Sequence, residues 1–270
     1  MNNRLPFTTA LITGASSGIG EAFARELADR GIQRMLLLAR NSEKLEALKK
    51  ELQNKYPIEI HCFSVDLSKA EAVNQCLKDL EKLNYSVDCL INNAGFTIRT
   101  EDECQQSDVV QQMIQLMAGT PVLLCQRIGS KMLEHKKGYI LNVSSIVGCF
   151  PVATTLSYCA IKRFLTAYSH SLSYEWRSEG IRVSCLQPGA TLSSFHESNQ
   201  LGLPEKLKSI FRSSEQVARI GVNGLIRGKR DIFPGLENYL LFLITRIIPH
   251  RWIYILHKNW WRKRRKQWCN

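Results

Sequence analysis

Short, apolar-rich runs recur along this chain with a helical pattern after each, and that alternation constrains the fold more than any single motif. Thr8–Ile12, Met35–Ala39, Ile58–Phe63, Val87–Ile91, Tyr139–Val143 and Ile181–Leu186 each read as a strand, Thr8–Ile12 and Tyr139–Val143 as buried ones. Between them, apolar residues return at three- and four-residue spacing, as in Phe23 and Leu27, or Val73, Cys76, Leu77 and Leu80. Strand–helix–strand units of this kind call for right-handed crossovers. The expected fold is therefore α/β: a single-domain, Rossmann-type, doubly wound parallel sheet flanked by helices. No repeat or low-complexity linker divides it, which gives one domain over 1–235 and a C-terminal helical extension over 236–270.

The first run ends in a glycine-rich turn, Thr13 to Gly20, and a helical pattern follows. Free N–H groups at a helix N-terminus hold a pyrophosphate, and glycines let the backbone turn tightly and approach it. Gly14, Ser16, Ser17, Gly18, Ile19 and Gly20 are thus candidate phosphate contacts, although the spacing is G-x-x-x-G-x-G instead of the commoner G-x-G-x-x-G. The second run ends at Arg40, twenty residues past Gly20, where an acidic side chain would take the ribose 2′-hydroxyl of NAD. A guanidinium there suits a 2′-phosphate, so NADP(H) is expected over NAD(H). The alternative is that Arg40 opens a helix of solvated charges. Asp66, after the third run, is either a helix N-terminal acid or a carboxylate at an adenine ring.

The fifth run leads through a loop into a helical pattern, and Tyr158 and Lys162 lie four residues apart on it, on one helix face. A phenol ordinarily titrates near ~10, and an ammonium beside it favours the phenolate, which brings it closer to acid/base work at neutral pH. Ser145, at the strand end, places a hydroxyl where it could bind the same substrate oxygen. Taken alone, such a pair is also common on any amphipathic helix.

With Thr13–Gly20, Asn92–Gly95, Ser145, Tyr158-x-x-x-Lys162 and Pro188-Gly189 in that order, the chain resembles the classical short-chain dehydrogenases/reductases over about residues 8–235. The resemblance implies that Tyr158 is the proton donor or acceptor, that Ser145 orients the substrate oxygen, and that Lys162 lowers the tyrosine pKa and holds the nicotinamide ribose. It places Asp66 and Leu67 at the adenine, Asn93, Ala94 and Gly95 beside the adenosine ribose, and Pro188, Gly189 and Thr191 at the nicotinamide. It also implies a homodimer or homotetramer. One departure stands out. The family usually carries an asparagine in the long helix before the serine strand, and residues 104–130 contain none. Of the aligned stretch Gln115 to Gly119, Gln115 is the one side chain able to stand in as a polar partner. The implied activity is hydride transfer between NADP(H) and an apolar ketone, aldehyde or alcohol, with a ketoacyl or other lipid-like carbonyl as first choice. The rival is a low-activity nucleotide-binding protein at a membrane surface.

Composition excludes other classes. At 44% hydrophobic and 22% charged, the 270 residues are those of an ordinary globular protein. Nine scattered cysteines without a C-x-x-C, and six histidines without a ligand pattern, point to reduced thiols, no metal site and a cytoplasmic location. Met1 to Pro6 shows no signal-peptide pattern. The stretch 192–212, with Leu192, Phe195, Leu201, Leu203, Leu207, Ile210 and Phe211, reads as an apolar lid.

The net charge of +12 is uneven, since residues 246–270 carry eight cations and no acid. Neither apolar run of this tail reaches the ~18 residues of a spanning helix. Its aromatic residues and cations over 240–268 fit an anionic membrane surface. A dimer or lid helix with a solvated end is the other reading. Nucleic acid is the least favoured, because no reading module accompanies the cations.

Overall fold

The computed structural model describes residues 5–83, 85–98, 106–150, 152, 155–192 and 211–268, with the side chains of 192 and 260–268 excepted. The apolar runs become β1 (Thr9–Thr13), β2 (Arg34–Ala39), β3 (Glu59–Ser64), β4 (Cys89–Asn92), β5 (Gly138–Val143) and β6 (Ile181–Leu186). Residues of β1, β4 and β5 are buried throughout, as a parallel sheet covered on both faces requires. With β9 (Asp231–Ile232) they form one seven-stranded sheet in the order β3-β2-β1-β4-β5-β6-β9, all pairs parallel. The winding reverses between β1 and β4, and a crevice opens beyond the carboxyl ends of strands at such a point. A short parallel pair, β7 (Thr191–Leu192) with β8 (Arg212–Ser213), was not legible in the sequence.

Helices α1 (Gly18–Asp29), α2 (Ser42–Lys55) and α3 (Ala70–Lys82) return the chain between the first four strands. One face of the sheet is filled by Phe23, Leu27, Leu45, Leu48, Val217 and Val222, the last two from α7 (Ser214–Ile226). The other face is filled by Val73, Leu77, Leu124, Ile128 and Leu172. The long helix before the serine strand is α4 (Ser107–Ile114), a π-helical turn over Gln115–Gly119, and α5 (Thr120–Glu134). The 20-residue α6 (Leu156–Glu175) carries the Tyr/Lys pair. The extension is α8 (Leu236–Ile247) and α9 (His250–Trp268), separated by Pro249. The expected lid residues Phe195, Leu201, Leu203, Leu207 and Ile210 lie outside the described residues.

Candidate active site

The ends of β1, β2, β4 and β5 and the starts of α1 and α6 converge on one cavity of about 560 Å³. Gly14 leaves β1 with a φ of 68°, and a Cβ on it would sit 2.9 Å from Ala94 Cα, so the turn admits little else than glycine. Ser16, Ser17, Gly18 and Ile19 follow along the cavity wall, where the unpaired N–H groups of the first turn of α1 begin. Gly20 lies off the cavity. A Cβ there would overlap the Gly14 carbonyl, so this glycine lets α1 pack closely on the turn.

The loop after β4 is sewn to that turn. Asn93 Nδ2 donates to Thr13 O at 3.0 Å, and Thr13 Oγ1 accepts from the Asn93 and Ala94 amides at 2.9 and 3.1 Å. Asn93, Ala94 and Gly95 thereby line the cavity. At one end lie Arg40 and Asn41, placed by the passage from β2 to α2, whose N-terminus Asn41 caps by accepting from Lys44 N at 2.8 Å. Asp66, Leu67 and Ser68 line the same end. Burial opposes ionisation of Asp66, but hydrogen bonds from Ser68, with the Arg40 and Lys69 charges near, hold it below the usual carboxylate range.

At the other end the strand and helix termini are clamped together. Ser144 Oγ donates to Lys162 O at 2.8 Å and pairs with Thr166 Oγ1 at 2.7 Å, tying α6 to the end of β5. Ser145 caps the following short helical turn, and its hydroxyl donates to Pro188 O at 3.4 Å, which draws Gly189 and Thr191 alongside. Lys162 is buried. Its Nζ donates to Val143 O at 2.8 Å and stands 5.6 Å from the Tyr158 ring centroid, and burial lowers its pKa to about 8.

Tyr158 is half-buried because one side faces the cavity. The protein packed around the rest pushes its phenol well above the ordinary value, and a Ser145 hydrogen bond acting the other way does not offset this. The direction expected from the i,i+4 spacing is therefore reversed in the free protein. Both groups are desolvated, and the ammonium donates to the Val143 carbonyl.

Gln115, the candidate polar partner, is engaged by its own helix. Its Nε2 donates to Thr120 Oγ1 at 3.2 Å, and Thr120 in turn donates to Leu67 O at 2.7 Å. Buried Met117 takes the place beside the lysine. A Cβ built on Gly95 would lie 2.9 Å from Met117 Sδ and 3.8 Å from Lys162 Nζ. The cavity wall also includes residues the sequence reading passed over. Phe96, Leu116, Ile146, Val147 and Val152 form an apolar stretch, and His257 reaches in from α9. Four half-buried positions of α9 (Ile253, Tyr254, His257 and Lys258) show a helical stripe that was available in the sequence, but it went unread in a tail treated as separate.

A glycine-backed cradle at a helix N-terminus, a cation at one end and a Ser/Tyr/Lys cluster at the other fit a phosphorylated dinucleotide. The chain belongs to the short-chain dehydrogenase family, whose sequence profile matches residues 8–202, and is an oxidoreductase of that family. It is 30% identical over 248 residues to the hydroxysteroid dehydrogenase-like protein 1 of Gallus gallus, covering 91% of this chain and 73% of that one. It is 32% identical over 183 residues to the very-long-chain 3-oxoacyl-CoA reductase of Macaca fascicularis, covering 66% of this chain but 58% of the relative. Among solved structures, a short-chain dehydrogenase from Sphingobium yanoikuyae in complex with NADPH superposes with a TM-score of 0.78 at 27% identity, covering 85% of this chain and 88% of that one.

Proposed function

We propose that this chain is an NADP(H)-dependent reductase of apolar ketones or aldehydes, with Tyr158 as the proton donor. The observation that carries this is the placement of Ser145, Tyr158 and Lys162 at one end of a cavity whose other end presents Arg40. When bound, the nicotinamide supplies the hydride. Tyr158 supplies the proton to the carbonyl oxygen, which the Ser145 hydroxyl orients by a hydrogen bond. A phenol pushed upward by burial stays protonated at neutral pH, which is the form that carbonyl reduction needs. The Lys162 ammonium opposes the negative charge that develops on the oxygen and the phenol. Arg40 and Asn41 hold the 2′-phosphate, which favours NADPH over NADH.

The apolar wall of Phe96, Leu116, Ile146, Val147 and Val152 supports a greasy substrate, and so does the 3-oxoacyl reductase among the relatives. The test is NADPH oxidation against carbonyl compounds of graded chain length. Turnover that rises with chain length is expected. A protein that binds NADPH but consumes none with any of these carbonyls contradicts the reading.

A further inference from the structure

Among the described residues, fifteen large hydrophobic side chains are exposed, and eleven of them fall between Leu236 and Leu256. They occupy the outer faces of two successive helices. On α8, Asn238, Phe242 and Thr245 turn inward, and Phe242 packs on the cluster of Ile146, Phe150, Val152 and Cys159. Leu240, Ile244 and Ile247 turn outward, and Ile247 is 83% exposed. On α9, Ile253 packs on that same cluster and His257 lines the cavity, while Trp252, Ile255 and Leu256 face out. A continuous apolar face of this extent marks a surface that something covers.

Charge identifies the occupant. Arg251 stands 5.1 Å from the ring of outward-facing Trp252, and exposed Arg246 lies beside Ile247 in sequence, so guanidinium groups adjoin the apolar face. From residue 246 onward the chain carries eight cations and no acid. A second copy meeting this face symmetrically would bring two such unopposed sets of cations together. A nucleic acid would answer the cations but leave the aliphatic side chains uncovered. An anionic bilayer answers both, with acyl chains for the apolar face and headgroups for the cations. No described helix is long and apolar enough to cross a membrane, which leaves a helix pair lying in the interface.

We propose that the outer face of α8 and α9 is a docking surface for an anionic lipid bilayer. On their inner side α9 reaches the catalytic cavity through His257, while Phe242 of α8 and Ile253 of α9 pack behind its wall residues Ile146 and Val152, so a docked enzyme holds that wall against the lipid. The docking itself rests on no step of the reductase reading.

Co-sedimentation of the full chain with vesicles tests it, using phosphatidylcholine alone and phosphatidylcholine mixed with phosphatidylserine. Roughly tenfold tighter binding to the anionic vesicles is expected, weakening with added salt. The triple variant Leu240→Glu/Ile244→Glu/Ile247→Glu alters exposed positions only, so it should keep the wild-type thermal unfolding while losing vesicle binding. The proposal is overturned if the wild-type chain stays in the supernatant with both vesicles. It is equally overturned if the folded triple variant still sediments, or if that variant merely converts a lipid-indifferent oligomer to a monomer.

Discussion

At the residue scale, burial governs the chemistry of the pair at the cavity end. Lys162 titrates at about 8 instead of its ordinary 10.5 because its ammonium is desolvated. Below about 8 the cation is present in the free enzyme, and above it the cation is lost, while the raised Tyr158 phenol keeps its proton throughout. The pH profile of kcat/KM for carbonyl reduction, which reports free-enzyme groups, should therefore fall as pH rises through about 8. A profile flat well past that value would remove Lys162 from the account. Arg40 gives a second residue-level prediction. Arg40→Ala should raise KM for NADPH roughly tenfold or more and leave NADH nearly unaffected; equal losses with both nucleotides would speak against 2′-phosphate recognition.

The i,i+4 spacing of Tyr158 and Lys162 made their shared face legible in the sequence, and the strand end did the same for Ser145. The direction of the phenol's shift was not legible. It depends on how far water is excluded and on where the ammonium points, and spacing encodes neither.

At the scale of elements, the site depends on how α6 is hung from β5. Ser144, with no reactive role, holds the start of that helix through the Lys162 carbonyl and Thr166. Ser144→Ala leaves these buried groups one partner short, and should cost about 1–3 kcal/mol in urea unfolding. A change within error would show that the clamp is dispensable. The π-helical turn over Gln115–Gly119 is a second such device. Within it Gln115 donates to Thr120 and Met117 is buried. Strand and helix positions were readable because buried parallel strands such as β1 and β2 have nearly continuous apolar sequences, and β3 and β6, less fully buried, keep apolar residues at alternate positions. A two-residue pair such as β7–β8 has no such signature, and the π turn differs from an α turn by one residue of hydrogen-bond register.

Over the whole molecule, the reversal of winding between β1 and β4 sets the crevice; the β1–α1 turn, the starts of the β2 and β3 connections and the loop after β4 deliver one end of the site, and the single connection from β5 through α6 delivers Ser145, Tyr158 and Lys162. The parallel sheet type followed from the alternation of runs. The part played by the tail did not, because His257 lies far in sequence from the loops it meets, and only packing brings it to the cavity. The central claim is that Tyr158 hands the proton to a carbonyl over a bound nicotinamide. The most direct measurement compares Tyr158→Phe with the wild-type chain, for turnover of an apolar ketone with NADPH and for NADPH affinity by fluorescence titration. Removing one hydroxyl should lower kcat by roughly 10²–10⁴-fold and leave the NADPH dissociation constant within a factor of about three. Turnover that survives the substitution would contradict the account.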